Sequence, residues 1–303
     1  FSKYLKDIFT PNDTEADLCF GSTVAAFLNE PYQMELPMKK FTKSEIVSTI
    51  KKLKDHKALG YDRITAEILK KLPPEPYNFI THLFNACLTR NIFPAQWKVE
   101  EIKMVLKAGK PGDEVKYYRP ISLLPILSKV FEKIFLKRLM VFIERKQIIP
   151  KHQFGFRNEH STIEQVHRLV EKIQTALDRK QICTAVFLDI SQAFDRVWHQ
   201  GLLFKIKKKL PLNAYLLLKS YLNQRMFYVN YENEISNFQQ IKAGVPQGSI
   251  LGPILYLIFT HDLPTTKGVL TGTFADDTAI MATAVDPVEA SYMLQISINK
   301  ISK

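Results

Sequence analysis

The sequence predicts an α+β fold in which helices back an antiparallel sheet. Two observations carry that prediction. Strand-like and helix-like periodicities are intermixed, without the regular alternation that builds a parallel sheet. And the stretch Thr273-Phe-Ala-Asp-Asp-Thr-Ala279 reads as strand, turn, strand. With 303 residues, 46% of them hydrophobic, the chain can bury a sizeable core as one large domain or a few subdomains.

The elements follow in order. Residues 1–40 read as an irregular lead-in broken by Pro11, Pro31 and Pro37, with one short helix at 16–28. Thr42 and Glu45 fit a capping box, and Ile46, Val47, Ile50 and Leu53 give the helix behind it an apolar stripe, with Gly60 as the stop. A second helix fits 79–88, with Leu83, Phe84 and Cys87 facing inward. Residues 99–107 read as a strand, followed by a turn at Gly109-Lys-Pro-Gly112. A long helix at 127–143 uses Val130, Phe131, Ile134 and Leu139; another at 162–178 uses Val166, Leu169, Ile173 and Leu177. Thr184-Ala-Val-Phe-Leu-Asp-Ile190 looks like a buried strand that ends on an acid. Helices fit 201–209 and 214–222, a strand fits 225–231, and Asn233-Glu234 makes a turn. Gly244-Val-Pro-Gln-Gly-Ser249 is a glycine-bounded loop leading into a helix at 250–261. The hairpin then places 269–274 and 278–283 around the turn Ala275-Asp276-Asp277. Asp286 caps a last helix, with Pro287 at its first position and an amphipathic run through Ile298.

The charge balance narrows the partners. Forty-two Lys and Arg against 30 Asp and Glu give +12 and a pI near 9.4, which favours a polyanion, nucleic acid or an anionic membrane surface. No apolar run approaches the ~18 residues of a membrane span, and no basic amphipathic anchor is convincing. Cys19, Cys87 and Cys183 have no paired spacing, so they read as reduced thiols and small buried hydrophobes of a cytoplasmic or nuclear protein that is not secreted. The start at Phe1 reads as a piece of something longer.

An Asp-Asp pair at a turn has an ordinary explanation, since aspartate suits turns and is at ease in solvent. Three features favour chemistry instead. Asp189 ends an apolar strand, an awkward place for an acid without a cation to hold it. If both strands lie in one sheet, Asp189 and Asp276 converge, and clustered carboxylates need compensation to stay ionised. Hard divalent cations such as Mg²⁺ supply it, alongside substrate phosphates. A basic chain also lets a phosphate-rich substrate approach that acidic spot. Together these point to two-metal phosphoryl transfer, in which one ion activates a 3′-hydroxyl and the other holds the triphosphate.

The ordered motifs Lys57-Ala-Leu-Gly-Tyr-Asp62, Tyr118-Arg-Pro-Ile-Ser-Leu-Leu124, Gln153-Phe-Gly-Phe-Arg157, the run from Phe187 to His199, the run from Gly244 to Pro253, and Phe274-Ala-Asp-Asp277 resemble the reverse transcriptases of non-LTR retrotransposons, above all the jockey-like elements. That resemblance implies a right-hand polymerase fold: a lead-in at 1–40, fingers with the start of the palm at 41–180, a palm with an antiparallel sheet at 181–285, and a truncated helix at 286–303, with the thumb missing or truncated. It implies two Mg²⁺ ions, replaceable by Mn²⁺, on Asp189, Asp276, Asp277 and the Ile190 carbonyl. It implies an RNA template, a DNA primer and dNTPs as partners, and no membrane. Phe194 would lie under the incoming sugar and leave no room for a 2′-hydroxyl. Gln247 and Gly248 would meet the nucleotide, with Gln247 bonding sugar or phosphate, and Pro246 would face template or primer. Arg119 and Lys107 would grip the triphosphate; Lys103 and Lys110 compete with Lys107 for that place. Arg157 would meet template phosphate.

Two departures and two alternatives accompany the resemblance. Leu59 stands where the family has proline, and the chain stops at Lys303 before the family's thumb, so weak or distributive synthesis is expected. Lys205, Lys207, Lys208 and Lys209 read as a solvated helix face or a nuclear-localisation run. The competing functions are an RNA-synthesising relative, which Phe194 argues against, and a non-catalytic RNA-binding remnant of the same fold, which the intact acids argue against.

Overall fold

A computed structural model describes residues 1–11, 15–32, 37–232 and 234–302, with side chains from Phe20 onward in the helix that opens at Glu15. In chain order the elements are α1 (Ser2–Ile8), α2 (Glu15–Asn29), α3 (Lys43–Lys51), α4 (Ala66–Lys70), α5 (Pro74–Arg90), β1 (Val99–Leu106), β2 (Tyr118–Leu123), α6 (Ile126–Arg145), α7 (Thr162–Asp178), β3 (Ile182–Leu188), α8 (His199–Lys209), α9 (Leu212–Leu222), β4 (Arg225–Tyr231), β5 (Glu234–Ile235), β6 (Gln239–Ile241), α10 (Gly252–Phe259), β7 (Leu270–Phe274), β8 (Asp277–Ala284) and α11 (Pro287–Ile301). This is the expected mixture of helix and sheet. The chain forms two compact units, each discontinuous in sequence: Phe1–Lys146 with Phe194–Leu255, and Gln147–Ala193 with Tyr256–Lys303.

The first unit holds a mixed sheet. β1 pairs antiparallel with β2 and parallel with β4, and β5 and β6 both pair antiparallel with β4. Ile102, Met104, Phe227, Val229 and Ile241 of this sheet pack against Leu5, Ile8 and Phe9. The lead-in is therefore not irregular. At seven residues α1 is too short to hold itself by hydrogen bonds alone, so packing on the sheet supplies its stability. α2 lies where the sequence places a helix, one residue longer at each end; the side chain of Cys19 lies outside the described residues. Cys87 is buried, which raises its pKa to about 11, and Cys183 is half-buried.

Helix α3 begins at the capping box expected of Thr42 and Glu45, both halves formed. It ends at Lys51, well before Gly60. Gly60 does another job: a Cβ there would lie 2.7 Å from the Leu124 carbonyl carbon, so glycine lets two backbones meet. α5 is longer than expected and ends on Asn91 in the left-handed conformation. Phe84 and Cys87 are buried as expected, but Leu83 is exposed. Phe131 of α6 sits among Phe41, Phe84 and Phe93 at centroid distances of 5.8, 5.3 and 5.8 Å, all edge-on, the geometry ring quadrupoles favour.

Several charged side chains are buried in this unit. Arg225 is fully buried and donates from Nε to Glu100 at 2.8 Å and from Nη1 to the Tyr221 carbonyl at 3.2 Å. Glu132 accepts from Ser128 Oγ at 2.8 Å and from the N–H groups of Ile250 and Leu251 at 2.9 and 3.1 Å. Burial raises its pKa, and those donors oppose the rise. Glu132 thus holds the start of α10. The lysine run of α8 is not a simple solvated face, because Lys207 is buried. Its Nζ donates to the carbonyls of Phe27, Leu28 and Glu30 and caps the end of α2. Glu234 opens β5 instead of sitting in a turn, and Asn233 lies outside the described residues.

In the second unit the sheet order is β3-β8-β7, antiparallel throughout. α11 covers one face through Leu294, with Val269, Ile280, Ala282, Val186 and Leu188 beneath. Its N-terminus is built as the sequence implies, with Asp286 accepting from Glu289 N at 3.1 Å and Pro287 at the first position. α7 has the expected bounds but a different buried face. Gln165 and Ala176 are buried, whereas Val166, Ile173 and Leu177 are exposed and Leu169 is half-buried. Polar bonds seat the helix: Gln165 Nε2 reaches the Thr273 carbonyl at 3.1 Å, and Arg168 Nη1 reaches that of Thr271 at 3.4 Å. Among the described residues no helix is long and apolar enough to cross a membrane.

The buried pair gives a stability test. Arg225→Leu alone should cost about 3–5 kcal/mol in denaturant unfolding, because Glu100 is left buried and unpaired. Arg225→Leu with Glu100→Leu should recover most of that loss. Additive losses would show that the two side chains do not act as a pair.

Candidate active site

The register of the second unit's sheet places the acids. Phe187 pairs with Ala279 and Leu188 with Thr278, the last rung, and Asp189 and Asp277 are the next residue of each chain beyond it. Residues facing each other across an antiparallel pair share a face, so both acids lie on the side of Phe187 and Ala279. They line a cavity of about 320 Å³ with Val166, Leu169, Phe187 and Phe274. Phe274 pairs with Asp277. The turn is therefore Ala275–Asp276 alone, and Asp277 is the first residue of β8, one position earlier than the sequence suggested. Asp276 lines a second hollow in the same unit, with Ile190, Tyr256, Gln153 and Thr273. Burial raises the Asp276 pKa, and the charges of Asp277 and Asp189 raise it further. Asp276 thus feels the charge of both other acids.

That repulsion at Asp276 fits a divalent cation, which Asp189 and Asp277 could share from the end of the strand pair. Among the described residues, however, no group of three or more His, Cys, Asp or Glu side chains is gathered closely enough to hold a metal. Asp276 stands apart because it occupies the turn, on the side of the second hollow.

A single amide fixes that turn. Gln153 is buried; its Oε1 accepts from Ala275 N at 2.9 Å and Gly155 N at 2.8 Å, and its Nε2 donates to the Ala275 carbonyl at 3.1 Å. Ala275 has φ +58°, a conformation costly for a residue with a Cβ, so the clamp offsets local strain next to the acid. A Cβ on Gly155 would collide with the Ala275 backbone nitrogen. Phe154 N also donates to the Thr273 carbonyl, and Thr273 N to that of His152, both at 2.9 Å. Arg157, expected at template phosphate, instead donates to the carbonyls of Pro150 and Gln153 at 3.2 and 2.9 Å and shapes this turn. Gln153 was legible only as the head of a matched motif. The adjoining glycine, which marks a close backbone approach, was the signal of its role.

The nucleotide-binding candidates lie in the first unit. Phe194 is half-buried, and its carbonyl accepts from Val245 N at 2.8 Å. Gln247 turns its amide inward, with Nε2 donating to Asp195 Oδ1 at 2.7 Å. Gly248 has φ +121°, and a Cβ would lie 2.6 Å from the Ser122 carbonyl oxygen, so its close approach is to strand β2. Pro246 is buried and its carbonyl accepts from Ser249, so it shapes the loop. Arg119 is exposed on β2, opposite Val105. Lys107 is half-buried, with Nζ donating to the Lys116 carbonyl at 2.9 Å, while Lys103 pairs with Glu101 at 3.5 Å. Asp195 was missed, although it directly follows Phe194 in the motif.

Gln153→Ala should speed amide exchange across residues 270–280 and lower stability by about 2 kcal/mol or more, since two buried N–H groups and one carbonyl lose their partner. Unchanged exchange in that peptide would remove the clamp.

Comparison with known proteins shows the family. The family model described as reverse transcriptase (RNA-dependent DNA polymerase) matches residues 106–302. The chain is 47% identical over 258 residues to the probable RNA-directed DNA polymerase from transposon X-element of Drosophila melanogaster, covering 84% of this chain and 28% of that protein. It is 45% identical over 303 residues to the probable RNA-directed DNA polymerase from transposon BS of the same organism, covering 97% and 33%. Against the RNA-directed DNA polymerase from mobile element jockey, also of Drosophila melanogaster, it is 41% identical over 304 residues, with the same coverage. The chain spans about a third of the length of these relatives. It belongs to the reverse transcriptase (RNA-dependent DNA polymerase) family.

Proposed function

We propose that this chain carries the fingers and palm of an RNA-directed DNA polymerase of a non-LTR retrotransposon, a nucleotidyltransferase that adds dNTPs to a primer 3′-hydroxyl on an RNA template. The observation that carries the reading is that Asp189 and Asp277 follow the last rung of the β3–β8 pair and line one cavity, beside an Asp276 whose pKa burial and then both charges raise. In this reading the sheet of β3, β7 and β8 belongs to the palm.

Asp189, Asp276 and Asp277, with the Ile190 carbonyl, would hold two Mg²⁺ ions, and Mn²⁺ could replace them. When bound, such ions stabilise the attacking and leaving oxygens of a phosphoryl transfer. The protein's own part is positioning. The β3–β8 register fixes two acids, and Gln153 fixes the turn that bears the third. Phe194, whose carbonyl is tied to Val245, would hold its ring against the sugar and exclude a 2′-hydroxyl. Arg119, with its planar fork, would meet the triphosphate. Lys107 would do so only by leaving the Lys116 carbonyl. The +12 charge suits an RNA–DNA duplex and makes its binding fall steeply with salt.

Primer extension on an RNA template with dNTPs and Mg²⁺ tests the reading. Asp276→Asn should abolish incorporation and leave duplex affinity within about twofold. Equal extension by the variant would remove Asp276 from the site. Phe194→Ala should raise rNTP incorporation relative to dNTP by about tenfold or more, the scale of one lost steric contact. Unchanged sugar selectivity would count against the ring as a gate.

A further inference from the structure

Residues 243–247 are stitched to residues 194–199. Val245 N donates to the Phe194 carbonyl and Gly244 N to that of Val197, each at 2.8 Å. His199 Nε2 lies 2.7 Å from the Gly244 carbonyl. Burial lowers the His199 pKa to about 4, so the ring is neutral and carries its proton on that nitrogen. A Cβ on Gly244, which has φ +92°, would lie 2.5 Å from the Asp195 carbonyl oxygen. On the other side Ser122 N donates to the Gln247 carbonyl at 2.8 Å. The backbone of Gln247 is thus pinned from two directions.

Its side chain then has one hydrogen bond among the described residues, from Nε2 to Asp195 Oδ1. Asp195 is only 4% exposed. An ionised carboxylate can only accept, so the Gln247 amide must turn its NH₂ toward Asp195 and keep Oε1 for the outside. The second N–H of that NH₂ stays a donor, while Oε1 is the amide's one acceptor. A sugar hydroxyl is a donor and can meet it.

We propose that Asp195 is a positioning residue that sets the hydrogen-bonding polarity of Gln247, so that this loop meets an incoming nucleotide with Oε1 held outward as an acceptor for a hydroxyl donor. The proposal rests on the reading above that Gln247 faces the nucleotide.

The polarity depends on pH. Burial raises the Asp195 pKa to about 6; the Gln247 bond lowers it, the Glu100 charge raises it and Arg196 lowers it. Glu100 is the titratable group that faces Asp195 from β1, and it is paired with Arg225 of β4. The other residues around the intervening hollow, Phe9, Pro120, Ser122 and Ile241 among them, carry no ionisable side chain. Below about pH 6 a protonated Asp195 can donate as well as accept, and Gln247 is no longer held one way round. The acceptor polarity is therefore present above that pH and lost as pH falls through it.

The experiment uses the whole chain with ¹⁵N-labelled glutamine, following the Gln247 side-chain NH₂ resonances from pH 5 to 7.5, assigned by their loss in Gln247→Asn. They should titrate with a midpoint near 6 in the wild type and stay flat in Asp195→Asn, which keeps the shape and an acceptor without the proton equilibrium. Resonances that do not titrate in the wild type, or titrate equally in Asp195→Asn, would overturn the proposal. In extension assays the KM for dNTP should rise about fivefold below pH 6 in the wild type, the scale of one hydrogen bond, with kcat changing less. That limb should vanish in Asp195→Asn, and its persistence there would also overturn the proposal. A titrating amide in a chain that incorporates no nucleotide would uphold the coupling of Asp195 to Gln247 and remove the polymerase reading instead.

Discussion

The antiparallel register of β3 on β8 is the constraint from which the candidate site follows. Leu188 lies opposite Thr278, and Asp189 and Asp277 take their places beside that rung. Strand side chains alternate with a period of two, so a slip of one residue would turn Asp189 to the α11 face and bury it among Ile280, Ala282 and Leu294. The apolar residues on that face prevent the slip. Val186 and Leu188 must pack beneath α11, and their burial fixes where Phe187 and Asp189 point. Hydrophobic packing on one side of the sheet thereby sets the electrostatics on the other.

Polar side chains do the finer positioning, each on backbone far away in sequence. Glu132 holds the N–H groups at the start of α10, Lys207 the carbonyls at the end of α2, and Gln153 the turn before Asp276. Such groups add little net stability, since each must first leave water. Their contribution is geometric, because an unmet partner in a dry interior is costly and the native arrangement satisfies it. Glycine serves the same end at Gly155 and Gly248, where a side chain would strike the backbone opposite.

What could be read from the sequence was local. The capping box of α3, the buried stripe of α6, the bounds of α7, the strand β4 and the Asp286–Pro287 start of α11 are all determined within a few residues. The acids were legible because their neighbours break local rules: one ends an apolar strand, and two share a tight hairpin. What stayed hidden depends on distant partners. α1 exists because a sheet more than ninety positions later receives it. The buried face of α7 is polar because Gln165 and Arg168 find carbonyls of β7, which periodicity cannot foresee. Arg157 and Lys207 look like surface cations until the carbonyls they serve are in place. Asp195 looked like a spacer in a motif, and only its contact with Gln247 distinguishes it.

The clamp on the Ala275–Asp276 turn also imposes an order of events. Gln153 and Ala275 are 122 positions apart, so their contact closes a long loop, whereas β7 and β8 need only a two-residue turn to meet. The hairpin can form early and locally, but its strained alanine has no support until residues 152–155 dock. A nascent chain would therefore pass through a stage in which the sheet is paired and the turn still wanders. Maturation of this unit would end not with a strand finding its neighbour but with one amide seating itself.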